Sequence, residues 1–365
     1  MDPYCHYDNP QFDSDLDFKL VVSEIRRGLR IQEFDYELPE EYIAQEPLAE
    51  RDQSRLLILD KANGNIEHRR FLDIVEYLKQ DDLLVLNDTR VVATRLRGNK
   101  HTGAAVEALL LKQVGDNRWQ AMVKPGRRVP VGTEVVFGDG ELTAVAVERL
   151  DDGGRILEFF CEGDCDDAIA RLGEVPLPPY ICKRLEDRER YQTVYAHEGG
   201  SAAAPTAGLH FTAQVFDALR SKGIDWTFIT LHVGIGTFRP VRVENIYEHE
   251  MHAESVFIGE ASVEKINSCK GRIICVGTTT ARALESAAVA KGKVAPMCGE
   301  TRLFITPGYD FKIVDALVTN YHMPRSTLLV LISAFAGRDL IMKAYHEALK
   351  EHYRFLSFGD AMFIK

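Results

Sequence analysis

Apolar positions change their spacing along the chain in three blocks, and the blocks predict two kinds of architecture. From Phe34 to Leu86 helical and extended spacings alternate: a short helix opens near Pro39, a loop covers 51–54, a strand spans 55–59, a helix spans 72–79 and a continuously apolar strand spans 83–86. Proline suits a first helical turn, whose N–H groups have no partner within the helix, and a strand without polar alternation needs cover on both faces. After Asn87 the period drops to two. Runs over 106–114, 118–124, 134–137, 142–150 and 155–161 are separated by turn signals at Gly115-Asp116-Asn117, Gly138-Asp139-Gly140 and Asp151-Asp152-Gly153-Gly154. Five short strands at hairpin spacing predict a small antiparallel barrel. Glycine and proline cluster over 173–179, after which the first pattern resumes, with strands over 226–233, 272–276 and 301–305 and helices over 279–290, 326–336 and 340–352.

The fold class this predicts is mixed α/β: an αβα layered domain over 31–92 and 174–365, interrupted by an inserted antiparallel β-barrel domain over 93–173. Residues 1–30, polar and acidic to about Asp17 and without core periodicity beyond it, read as an N-terminal extension open to disorder. A chain of 365 residues exceeds what one core usually serves, in keeping with two domains. No apolar run reaches the roughly 20 residues that cross a bilayer, and the N-terminus lacks a basic stretch followed by an apolar one. No membrane partner and a cytoplasmic location are therefore expected. The seven cysteines, scattered without a CxxC pair, are expected to be free, reduced thiols. Cys161 and Cys165 share the first spacing of a radical-type iron–sulfur motif, but Ala168 stands where the third ligand belongs.

A net charge of −11 argues against a protein that coats nucleic acid nonspecifically. Between Arg90 and Val131, however, nine basic residues face two acidic ones, which marks a candidate polyanion footprint that includes Lys124, Arg127 and Arg128. The competing reading is a solvated β-surface.

Candidate chemistry gathers where apolar runs stop. An apolar strand leads directly into Gly277-Thr278-Thr279-Thr280 and a helix, so backbone N–H groups there can face a carboxylate or phosphate. Thr230 to Phe238 ends a strand with His232 and two glycines, Gly234 and Gly236; it is not a dinucleotide fingerprint, because the third glycine is missing. Asn87, Asp88 and Arg90 follow one strand, His210 lies in GLHF, and Asn320 and His322 follow another. Polar residues at strand ends are where open α/β sheets bind ligands, although each alone is more often a cap or a loop hydrogen bond. His249 and His252 stand among glutamates in the order HExH, not the HExxH of a zinc helix, and a charged turn is the plainer reading.

Taken together the stretches FDYELPEEYIAQEP, LNDTRV, KPGRR, GEVPLPPYI, DRERYQTVYA, APTAGLHFT, TLHVGIGTFRPV, HEMHAE, VGTTTARALE, GETRLFITPGY, TNYHMPRSTLL and SFGDAM resemble the queuosine ribosyltransferase-isomerase family, in that family's order, from about Phe34 to the C-terminus. The resemblance implies a β-barrel beside an αβα domain with the site between them. It also implies a transferase-isomerase of tRNA modification that moves the ribosyl part of S-adenosylmethionine to the aminomethyl group of a 7-deazaguanine in tRNA. The products would be epoxyqueuosine, adenine and methionine.

Such chemistry needs a base for a C5′ proton beside the sulfonium and an acid for the departing adenine. On that resemblance the acid–base work falls to His210, His232, His322 and Asp88, without an order among them. Thr278, Thr279 and Arg282 would hold the methionine carboxylate or ribose, Asn87, Arg90 and Asn320 would orient the reacting groups, and Lys124, Arg127 and Arg128 would contact tRNA phosphate. S-adenosylmethionine enters as co-substrate; no tightly bound cofactor and no metal are expected. The competing functions are an ordinary S-adenosylmethionine methyltransferase, a non-catalytic tRNA-binding module and a metal hydrolase built on His249 and His252.

Overall fold

The computed structural model describes residues 28–151, 153–234, 241 and 243–365. Gly236 and most of the N-terminal extension lie outside the described residues. The extension's last residues are tied down: Ile31 N–H donates to the Glu244 carbonyl at 2.9 Å and Ile246 N–H to that of Leu29 at 2.9 Å.

The chain begins with β1 (Arg55–Leu59), β2 (Ile66–Arg70), β3 (Leu83–Asn87) and β4 (Thr89–Val91). It then runs through β5 (Arg95–Asn99), β6 (Ala105–Gly115), β7 (Arg118–Lys124), β8 (Glu134–Phe137), β9 (Leu142–Arg149) and β10 (Arg155–Cys161). The remainder holds β11 (Glu198–Ser201), β12 (Asp225–Leu231), β13 (Glu254–Ile258), β14 (Ile273–Val276), β15 (Ala288–Ala290), β16 (Lys293–Val294), β17 (Met297–Thr301), β18 (Ala316–Asn320) and β19 (Ala361–Ile364).

Nine of these form one mixed sheet in the order β17-β13-β12-β3-β14-β18-β19-β1-β2. Its centre, β12-β3-β14-β18, is parallel throughout. Because side chains alternate across a strand, each central strand feeds two cores. Val85, Ile229, Cys275 and Leu317 pack toward the helices Thr278–Ser286, Thr327–Ala336 and Arg338–Lys350. Leu84, Leu86, Ile274 and Val318 pack on the other face, with Phe71, Ile74, Val215 and Leu219 of the 3-10 helix Phe71–Tyr77 and the helix Ala213–Ser221. These continuously buried strands, covered on both sides, are the αβα arrangement the apolar runs call for.

The second body is a closed antiparallel barrel, β10-β7-β6-β5-β8-β9. It has six strands, one more than the hydrophobic pattern suggests. The extra strand, β5, reads RLRGN, so only Leu96 and Gly98 point inward, and a lone leucine makes no visible periodicity. Gly98 is required there, since an added Cβ would stand 2.3 Å from the Val136 carbonyl and 2.5 Å from the Phe137 ring. The barrel's two ends are clamped together where the chain leaves and rejoins the sheet: Arg95 N–H donates to Glu174 O at 3.0 Å and Glu174 N–H to Arg95 O at 2.7 Å. Gly173 allows this approach, because a Cβ would lie 2.0 Å from the Ala93 carbonyl.

Other expectations shift. The region 72–79 is a 3-10 helix over Phe71–Tyr77. The helix placed over 279–290 stops at Ser286, where the chain turns into β15, and the strand placed over 301–305 lies earlier, at Met297–Thr301. Cys161 and Cys165 are joined in a disulfide, against the expectation of free thiols: β10 ends at Cys161, and the next helix, capped by Asp164, begins at Cys165, which brings their Cα atoms to 5.7 Å. Cys182, Cys269, Cys275 and Cys298 are free.

Candidate active site

The parallel centre of the sheet decides where the polar residues meet. Strands β12, β3, β14 and β18 end at Leu231, Asn87, Val276 and Asn320, so His232, Asp88, the 277–279 turn and His322 all leave from one edge. That edge is where a doubly covered parallel sheet leaves room for a ligand. A cavity of about 370 Å³ opens beside it, with Thr278, Thr279, Asn320, His322, Tyr180 and Ser357 among its lining residues.

His322 is held by what surrounds it. Its N–H donates to Tyr345 Oη at 2.9 Å, its carbonyl accepts from Tyr36 Oη, and its Nε2 lies 2.9 Å from Thr319 Oγ1. Burial pushes the imidazole down to about 3, so the ring is neutral at pH 7. Asn320 donates through Nδ2 to His210 Nε2 at 3.2 Å and accepts on Oδ1 from Thr206 Oγ1 at 3.2 Å. His210 stands behind it. The His210 ring stacks on Phe71 with centroids 4.9 Å apart, its Nδ1 meets Ser54 Oγ at 2.8 Å, and burial lowers its pKa to about 4. It opens onto a small recess beside Pro47 and Gly359, not onto the main cavity.

Gly277, at φ +94°, turns β14 into the helix Thr278–Ser286 and aims that helix's N-terminus at the cavity. The Thr279 hydroxyl is buried and has no hydrogen-bond partner among the described residues. An unpartnered donor at a helix N-terminus suits an anionic group. One turn further, Arg282 is buried against Glu254, with Nη1 to Oε2 at 2.5 Å, and its Nη2 donates to the carbonyls of His252 at 3.1 Å and Thr301 at 3.0 Å. Burial lowers the guanidinium pKa and Glu254 opposes the shift. The other Glu254 oxygen accepts from Gly234 N–H at 3.0 Å. Arg282 and Glu254 share a neighbouring recess with Thr278 and Thr279, under the helix start.

The residues after β3 divide by role. Asn87 is fully buried and its amide binds backbone at both ends, donating to Leu231 O at 2.9 Å and accepting from Leu231 N–H at 3.0 Å. That pairing ties β3 to β12 and leaves the amide facing protein, not cavity. Asp88 accepts from Thr230 Oγ1 at 2.7 Å; burial raises its carboxyl pKa, the Thr230 hydroxyl opposes, and Glu198 adds to the rise. His232 meets Thr89 Oγ1 at 2.8 Å; burial lowers its pKa, while Asp88 and Glu198 favour its charged form. Arg90 pairs with Glu189 at the surface. Asp88 and His232 thus lie close together, half-buried, beside the cavity wall at Val233.

Lys124, Arg127 and Arg128 are exposed at the end of β7 and on the short turn that follows the cis Lys124–Pro125 bond. His249 lies edge-on to Phe304, and among the described residues no group of three or more His, Cys, Asp or Glu side chains is placed to hold a metal. Sequence reasoning gave no role to Tyr180, whose hydroxyl lies 2.8 Å from Ser357 Oγ, or to Thr319. The polar residues in the PPY and SFGD runs were the available signal.

The chain matches the family model described as "Queuosine biosynthesis protein" over residues 31–364. It is 53% identical over 341 residues to the S-adenosylmethionine:tRNA ribosyltransferase-isomerase of Acetivibrio thermocellus, covering 92% of this chain and 100% of that one. The identity to the protein of the same name from Clostridioides difficile is 51%, with the same coverage. The crystal structure of S-adenosylmethionine tRNA ribosyltransferase from Thermotoga maritima is also similar, at 40% identity and a TM-score of 0.53, covering 91% of this chain and all of that one.

Proposed function

The chain belongs to the queuosine biosynthesis protein family, and from that membership we propose that it is an S-adenosylmethionine:tRNA ribosyltransferase-isomerase. In this reading it transfers the ribosyl moiety of S-adenosylmethionine to the aminomethyl group of a 7-deazaguanine in tRNA, giving epoxyqueuosine and releasing adenine and methionine. The observation that carries it is the cavity at the ends of β14 and β18, where a neutral buried histidine faces a helix N-terminus with an unpartnered hydroxyl.

The helix start at Thr278 and Thr279 takes the methionine carboxylate, and the apolar walls take the nucleoside. Arg282 holds this helix start in place through Glu254 and two carbonyls. We assign the Thr319 hydroxyl proton to the Asn320 carbonyl, 3.1 Å away, so that Thr319 Oγ1 accepts from His322 Nε2–H. Nδ1 then keeps its lone pair for a C5′ proton made acidic by the sulfonium. His210 acts through Asn320 as a positioning residue. Asp88 and His232 move the second proton, onto adenine or off the substrate ammonium.

A single-turnover assay with adenine-labelled donor and precursor-bearing tRNA tests the reading. Free adenine should appear only with both reactants, and its absence, or S-adenosylhomocysteine in its place, defeats the proposal. Asn320→Ala, which leaves His210 Nε2 without its partner and the cavity without its amide, should lower the single-turnover rate by roughly 100-fold, the scale of one well-placed polar group.

A further inference from the structure

A second, larger hollow of about 860 Å³ lies at the junction of barrel and layered domain. Its walls carry five basic residues, Arg95 and Arg97 on β5 with Lys183, Arg184 and Arg188 on the returning strand-free segment, against two carboxylates, Glu174 and Glu186. Glu107 pairs with Arg95 and Arg97 and Glu46 with Lys183 from beside the lining, so the groove keeps a small basic excess in a chain of net charge −11. Glu174 sits between the two walls, 3.1 Å from Arg97 and 3.6 Å from Arg184, and so bridges them.

The barrel surface carries a further cation on the same face, beyond Glu107. Arg97 lies opposite Glu107 on β6, which lies opposite Lys124 on β7. Directly paired residues share a face, and strands stand about 4.8 Å apart, so Lys124 lies roughly 10 Å along the same outer row from Arg97. The groove also borders the cavity. Leu177, Ile181 and Cys182 face the groove, while Pro179 and Tyr180 line the cavity. This shared wall is pinned from both sides: Arg95 Nη2 donates to Leu177 O at 3.2 Å, and Gln45 bonds Tyr180 O at 2.9 Å and Cys182 N–H at 2.8 Å.

We propose that this groove binds the single-stranded backbone of the tRNA around the modified base, with phosphates along Arg95, Arg97, Lys183, Arg184 and Arg188, and that the base reaches the cavity across the 177–182 wall. The proposal rests on the tRNA-modifying reading above. An enzyme that acts on a base within a polymer must turn that base away from its neighbours, and a thin wall between a basic groove and an apolar cavity provides the place. Lys124, Arg127 and Arg128 continue the path beyond it.

Two free thiols make the test direct. Cys182 is exposed in the groove and Cys298 is exposed on β17, the sheet's outer edge. Iodoacetamide labelling of the full chain, read by mass spectrometry, should show Cys182 slowed by about tenfold when precursor-bearing tRNA is present at ~10 times its Kd, because mass action leaves about a tenth of the protein free. Cys298 should keep its rate, and high salt should restore that of Cys182. A Lys183/Arg184/Arg188 triple alanine variant should lose on the order of 50-fold in tRNA affinity near physiological salt and about 2 in the slope of log K against log salt, as expected for three single-strand contacts. Its affinity for S-adenosylmethionine should not change. Unaltered Cys182 labelling while tRNA binds and adenine is released, or an unaltered salt slope, overturns the groove and leaves the enzymatic reading standing. Failure of the wild-type chain to bind tRNA removes both.

Discussion

Replacing Glu254 by alanine tests whether the helix that starts at Thr278 is held by a buried charge pair. The Glu254 and Arg282 side chains are 4% and 8% exposed, so removal of the carboxylate leaves a guanidinium out of water with, among the described residues, the His252 and Thr301 carbonyls for company. Breaking such a pair from one side costs about 3–5 kcal/mol, and the Gly234 N–H loses its acceptor at about 1 kcal/mol more. Against typical stabilities of about 5–15 kcal/mol this is a large fraction. With an m-value near ~3 kcal/mol/M, the urea midpoint followed by circular dichroism should fall by more than about 1 M. The double variant Glu254→Leu with Arg282→Met removes both charges at similar volume and should recover most of the loss, since the desolvation cost goes with the pair. A single-variant cost below about 1 kcal/mol, within the range of surface pairs, would refute the argument. So would a double variant no more stable than the two single losses added together.

Folded His210 and His322 take up a proton only near pH 4 and pH 3, whereas the unfolded chain does so near the ordinary value of about 6.5. The unfolded state therefore gains protons first, and stability should fall as pH drops from about 7 to about 5, by about 2 kcal/mol per histidine. His322→Gln should remove one such share of the slope, and a pH slope equal to wild type would contradict a buried neutral ring. Asp88 and Asp360, raised by burial, act in the opposite sense, with stability lost as pH rises through their folded values. Gly98→Ala should destabilise the barrel by about 1–3 kcal/mol through the Val136 and Phe137 clash; a calorimetric trace identical to wild type would show that β5 has room to move.

Strands covered on both faces were legible because burial on both sides leaves an unbroken apolar run, as at Leu83–Asn87 and Ile273–Val276. The barrel strands were legible for the opposite reason, since one wet face imposes alternation. β5 escaped because its inward positions are Leu96 and a glycine, and its outward positions are Arg95, Arg97 and Asn99. The short strand β15 escaped because Ala288–Ala290 continues the helical composition before it, and only the turn at Ala287 ends the helix.

Site residues were visible one at a time, as polar groups where apolar runs stop, but their depth was not. Asn87 and Asn320 look alike in sequence, each closing a parallel strand. Asn87 lies next to β12, whose backbone at Leu231 offers a donor and an acceptor at the spacing of its amide, so the side chain completes the sheet. Asn320 ends between β14 and the antiparallel β19, where its amide turns instead to His210, Thr206 and the Leu356 carbonyl at the cavity floor. The same residue type in the same position is turned into the sheet in one case and onto the cavity in the other, and the neighbouring strand decides which. Strand order is a property of pairing between distant segments, so no window of local sequence carries it.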